Sequence, residues 1–159
     1  MADGTIMIEI TLESGGDKID ADLLRGAVRH VLETESIESA RIGLAIVDDA
    51  TIHDLNRRFL GHDYPTDVIT FPMPSDNGQL EGEIAVSIDT ARRQAARLDC
   101  PLGDELLLYV VHGALHLVGY DDTTDEVRQR MREKEREVLA HFDRIPYYDG
   151  QITSVSPNQ

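Results

Sequence analysis

Cysteine occurs once, at Cys100, so no intrachain disulfide can staple this fold and nothing in its cysteine usage points to an oxidising compartment. Long apolar runs are missing too. The longest, residues 106–111, stops at His112, well short of the roughly 20 residues that cross a bilayer, and reads as a buried helix. The opening Met1-Ala2-Asp3-Gly4 has no basic segment ahead of an apolar one, so no membrane attachment and a cytoplasmic address are expected. Positive charge is also scarce: 15 Lys and Arg stand against 30 Asp and Glu, a net charge of −15. That balance weighs against simple capture of a phosphate backbone, which Lys and Arg normally drive. Arg25, Arg29, Arg41, Arg57, Arg58, Arg92, Arg93 and Arg97 fall in the first two thirds. They either gather on one face or pair with neighbouring acids as solvated helix positions.

What is present fits one domain. A chain of 159 residues is long enough to bury about two thirds of its unfolded surface. A single domain over residues 1–148 is expected, followed by a disordered tail at 149–159. Alternation over residues 6–12 predicts a strand, closed by a turn at Gly15-Gly16. Asp20 caps a helix to about Glu33, residues 42–47 form a second strand, and Asp49 opens a helix carrying Ile52, Leu55, Asn56 and Phe59. Residues 68–71 and 83–88 are further strands around the loop 72–82. Thr90 caps a helix to about Leu98, Pro101 begins one ending at Gly119, and Thr123 or Thr124 caps the last, to about Phe142. Strands lead and helices follow, which predicts an α+β fold: a small mixed sheet of about four strands covered by helices.

Chemistry concentrates at the end of the helix before Gly119. His112 and His116 are four residues apart, so one helical face presents both imidazoles. Gly119 can take the left-handed conformation that ends a helix, turning Asp121 or Asp122 back toward them. A lone histidine on an apolar helix is usually a hydrogen-bonded core residue. Two of them with a glycine stop and a carboxylate, H-x-x-x-H-x-x-G-x-x-D, read as a metal site made by His112, His116 and Asp122. One zinc ion suits imidazole and carboxylate donors, with a fourth position left for water. Zincin proteases place a glutamate directly after the first histidine; here that residue is Gly113, so proteolysis is disfavoured.

The run from His112 to Asp121 resembles the H-G-x-L-H-L-x-G-Y-D-H pattern of the YbeY family of bacterial metal-dependent endoribonucleases. An upstream block, Leu55, Asn56, Phe59, Asp63, Pro65, Thr66, Asp67, Val68, Phe71 and Pro72, resembles that family's L-N-x-x-Y-R-x-x-D-x-P-T-(D/N)-V-L-S-F-P. Gly82-Glu83-Ile84 resembles its G-D-I, and Met131 with Glu135 resembles its last helix. The resemblance implies a zinc-dependent, single-strand-specific endoribonuclease acting in maturation of the 16S ribosomal RNA 3′ end and in ribosome quality control. Its partners would be ribosomal RNA and ribosome-associated proteins. Two positions depart from the pattern: the third histidine is Asp122, and the upstream arginine falls on Leu60. Arg57 and Arg58 are the nearby cations that could hold a phosphate in its place. Asp121, Asp67 and Glu83 are the acids that could relay a proton, each readable equally as a cap or as a carboxylate orienting a histidine. The rival expectation is a non-catalytic ribosome-maturation factor that keeps the metal for structure and binds RNA or a ribosomal protein.

Overall fold

Apolar residues alternating with polar ones build a mixed sheet in a computed structural model that describes residues 5–13, 18–75 and 78–147. Its strands are β1 (Ile6–Leu12), β2 (Ala40–Val47), β3 (Val68–Met73) and β4 (Leu80–Ser87), ordered β1-β2-β4-β3. β1 and β4 run parallel to β2, and β3 runs antiparallel to β4. Five helices accompany them among the described residues: α1 (Ala21–Thr34), α2 (Asp49–Leu55), α3 (Ile88–Leu98), α4 (Leu102–Leu117) and α5 (Asp125–His141). This is the α+β arrangement expected, and none of these helices is long and apolar enough to cross a membrane. The turn at residues 15–16 and the tail at 149–159 lie outside the described residues.

The two sheet faces are covered unequally. On one, α1 and α4 pack through Leu24, Val28, Val31, Leu106, Val110 and Ala114 onto Ile8, Ile42, Leu44, Ile84 and Val86. α4 is buried from Glu105 through Leu115, which explains its almost unbroken apolar sequence. On the other, among the described residues, α2 covers one end, where Ile52 meets Val47, Ile69 and Ala85. The rest is an open hollow of about 590 Å³ floored by Gly43 and Ala45 and walled by Phe59, Phe71, Glu9 and Glu83.

Several boundaries differ from those expected. β2 starts at Ala40 and β4 at Leu80, because these ends pair with each other in parallel register. β4 stops at Ser87, whose hydroxyl accepts from the Thr90 N–H at 3.1 Å, so Ser87 rather than Thr90 caps α3. The helix from Asp49 does not run regularly to Phe59; Asn56–Leu60 forms a π-helical turn. At the outer edge of the sheet, Arg25 and Arg29 reach from α1 to the β1 carbonyls of Ile8 and Ile6, at 3.4 and 3.3 Å.

Candidate metal centre

α4 ends in a Schellman turn. Gly119, at φ 108°, donates to the His116 carbonyl at 3.1 Å, and Tyr120 donates to the Leu115 carbonyl at 3.0 Å. The chain thereby reverses just past the histidines. Asp121 then pins the reversed segment: its carboxylate accepts from the Asp122 N–H and from the Thr123 hydroxyl, both at 2.8 Å. Thr124 caps α5 by accepting from the Val127 N–H. Of the two aspartates open to choice, Asp122 is turned inward and Asp121 holds the turn.

His112, His116 and Asp122 converge with their side chains 5%, 6% and 8% exposed. The two Nε2 atoms lie 3.2 Å apart, and each lies 3.6 Å from Asp122 Oδ2. Donors bound tetrahedrally to zinc at about 2.0–2.1 Å sit about 3.3 Å from one another. The spacing of these three donors matches that edge, and two imidazoles with one carboxylate are a donor set that divalent transition metals take. The residues therefore fit a metal.

Their electrostatics match a site built to hold positive charge. The His112 pKa rises to about 9: burial alone would lower it, but the Asp122 and Glu135 carboxylates overcome that. Burial would likewise raise the Asp122 carboxyl, yet hydrogen bonds with His112 and His116 hold it far below the usual carboxylate range.

Glu135 was not among the expected site residues. Its Oε2 lies 2.5 Å from His112 Nδ1, and the residue is wholly buried. A signal for it does exist in the sequence. The buried stripe of α5 is Met131, Glu135, Val138 and Leu139, and a carboxylate inside such a stripe needs a buried partner.

The other expected residues are dispersed. Asp67 lies just before β3, 2% exposed. Its Oδ1 accepts from the Val68 N–H at 2.8 Å and from the Thr66 hydroxyl at 3.3 Å. Burial pushes its pKa up to about 6 against the pull of the His112 charge, which places it within electrostatic reach of the centre. Glu83 is exposed and stands over Gly43 on the open sheet face, whereas its neighbours Gly82 and Ile84 face α4. Arg57 and Arg58 both pair with Asp54, at 2.9 and 3.2 Å, and their side chains are 61% and 60% exposed. Leu60, in the position where the family pattern has arginine, packs against the small cluster under α2. Arg92 and Arg93 are held by Asp89 and Asp49, two carboxylates linked through the Asp49 N–H, so these arginines form a cluster apart from Arg57 and Arg58.

Gly113 has a packing reason. A Cβ there would come within 2.8 Å of Ile84 Cγ2 and 3.2 Å of Val68 Cγ2. The missing side chain lets α4 lie close on the sheet, with the histidine pair anchored beside it.

Comparison with known proteins covers most of the chain. A sequence model described as Endoribonuclease YbeY matches residues 9–143. The Endoribonuclease YbeY of Rhodopirellula baltica is 50% identical over 103 residues, covering 64% of this chain and 53% of that relative. The Endoribonuclease YbeY of Pelotomaculum thermopropionicum is 42% identical over 135 residues, covering 80% and 89%, and that of Salinibacter ruber is 39% identical over 130 residues, covering 77% and 83%. Among solved structures, the solution structure of a Thermotoga maritima protein is similar at a TM-score of 0.59 and 30% identity, covering 86% of this chain and 92% of that one.

Proposed function

This chain belongs to the YbeY endoribonuclease family, and from that premise we propose that it is a zinc-dependent endoribonuclease that cuts single-stranded RNA. Its substrate in this reading is ribosomal RNA at the 16S 3′ end, and its setting is cytoplasmic ribosome maturation and quality control, alongside ribosome-associated proteins. The observation that carries the reading is the convergence of His112 Nε2, His116 Nε2 and Asp122 Oδ2 at 3.2–3.6 Å. One zinc ion held there would supply Lewis acidity and a nucleophile at neutral pH, the two needs of phosphodiester cleavage.

The chain's own residues have separate duties. His112 and His116 present their Nε2 atoms from adjacent turns of α4, and Asp121 holds the loop that delivers Asp122. Asp67 and Glu83 do not share one role. Asp67 is buried beside the centre, where it sets the local field, while Glu83 stands on the opposite sheet face. Arg57 and Arg58, exposed on the π-helical turn, are the cations assigned here to RNA phosphate, exchanging Asp54 for it.

A second reading, a metal-stabilised maturation factor without catalysis, is favoured by one specific observation. Leu60 packs where the family pattern has arginine, and both neighbouring arginines are already paired. One comparison separates the two: metal content and single-stranded ribosomal RNA cleavage by the wild-type protein and by His116→Ala. Stoichiometric zinc with cleavage that vanishes in the variant supports the enzyme. Zinc without cleavage on several RNAs supports the second reading.

A further inference from the structure

We propose that Glu135 is a positioning residue for the metal, acting through His112. The inference rests on the metal reading of the centre and goes beyond it by naming what fixes the first histidine. Four observations carry it. Glu135 is wholly buried in the stripe of α5 that otherwise holds Met131, Val138 and Leu139. Its Oε2 meets His112 Nδ1, the ring nitrogen that does not face His116 and Asp122. His112 is buried as well, 4% exposed, so water cannot take the carboxylate's place. Finally, α5 packs on α4 by its own apolar residues, so the carboxylate is held on a rigid element and not on a loop.

The geometry explains what this contact does. An imidazole has two nitrogens, and an acceptor fixed on Nδ1 sets both the ring's orientation and which nitrogen is left to bind metal. With Glu135 accepting from Nδ1–H, Nε2 of His112 is the nitrogen turned toward His116 Nε2 and Asp122 Oδ2, where a metal would sit. The His116 ring stands edge to face on His112, at 77° and 4.7 Å between centroids, and its Nε2 lies 3.6 Å from Asp122 Oδ2. His112 is thus held from both ring nitrogens, by Glu135 on Nδ1 and by the ligand cluster on Nε2. Removal of a carboxylate in this relation to a metal-bound histidine typically weakens the metal 10- to 100-fold.

The test measures zinc affinity by competition with a chromogenic chelator, using the full chain as wild type, Glu135→Gln, Glu135→Leu and Val138→Ala. Val138 is equally buried on α5 but is not part of the centre. The expected result is a loss of about 100-fold for the Leu variant and about tenfold for Gln, whose amide oxygen still accepts from Nδ1–H. Val138→Ala should leave affinity unchanged. Cobalt, loaded in place of zinc, should show an altered visible absorption band in the Glu135 variants only. Wild-type affinity and spectrum in a folded Glu135→Gln overturn the proposal while leaving the metal site intact, and the Gln variant decides if Leu does not fold. An equal loss in Val138→Ala would reduce Glu135 to a packing residue. A wild-type chain that takes no zinc sinks the metal reading itself, and this inference with it.

Discussion

The two faces of one sheet are made from alternate residues of the same strands, and they have gone opposite ways. Behind Val68, Gly82 and Ile84 lies α4, whose His112 and His116 meet the buried carboxylates of Asp122 and Glu135. Behind Phe71, Glu83 and Gly43 lies a hollow of about 590 Å³ that the described residues cover at one end. The difference shows what each kind of surface can do. A metal seat needs donors held to within a fraction of an ångström, which a crowded helix–sheet seam supplies and an open face does not. The family-like residues divide between the two: the histidine run faces the closed side, while Phe59, Phe71 and Glu83 face the open one.

The largest expected effect on the closed side is of pH on metal. In the metal-free protein His112 holds its second proton up to about pH 9, so on the proposed reading a zinc ion would have to displace it. Affinity should tighten roughly tenfold per pH unit from about 6.5 to 8.5 and level off above 9. Competition titrations corrected for the chelator's own protonation would show this, and a flat profile would contradict the buried, carboxylate-held state of His112.

Next is Asp67. Its carboxyl is raised in the folded protein to about 6, so folding retains a proton the unfolded chain releases. Stability is fully present below about pH 3.8 and is lost as pH rises to about 6, by up to roughly 3 kcal/mol. Asp67→Asn keeps an acceptor for the Val68 N–H and removes that loss. The metal-free variant should exceed wild type in urea denaturation at pH 7 and show little gain at pH 4. An equal gain at both pH values would trace the effect to packing instead.

A pair of glycines then sets the faces side by side. Gly113→Ala drives a methyl into Ile84 and Val68 and should cost about 1–3 kcal/mol by overpacking. Gly43→Ala meets only the carboxylate end of the exposed Glu83, which can swing away, so its effect should stay within about 0.5 kcal/mol. Thermal melts of the two variants measure the contrast. Similar losses would mean that the open face is more tightly filled than its hollow implies.

How far the sequence revealed all this depended on whether the signal was local. β1 has the bounds its alternation predicts, Asp20 caps α1 as expected, and of the two threonines open for the last helix Thr124 is the cap. The first residues of β4 carry little local signal, because their strand character comes from pairing with Ala40 and Arg41 of β2, 40 positions away. The three ligand candidates were legible because they lie within one helix and its terminal turn. Glu135 stood out only as a family-like position of the last helix; its partner did not, because it lies 23 positions back at His112. Glu83 illustrates the reverse. It sits in a family-like triplet, but period-two alternation puts it on the opposite side from Gly82 and Ile84.

The bond between His112 and Glu135 also orders events in time. A ribosome releases a chain from its N-terminus, so His112, His116 and Asp122 all emerge before Glu135 does. A nascent chain at that stage carries all three candidate ligands and lacks the carboxylate proposed to steady the first. On that proposal, any metal it met would be held loosely until α5 docks, and a chain cut short ahead of Glu135 would be a leaky one.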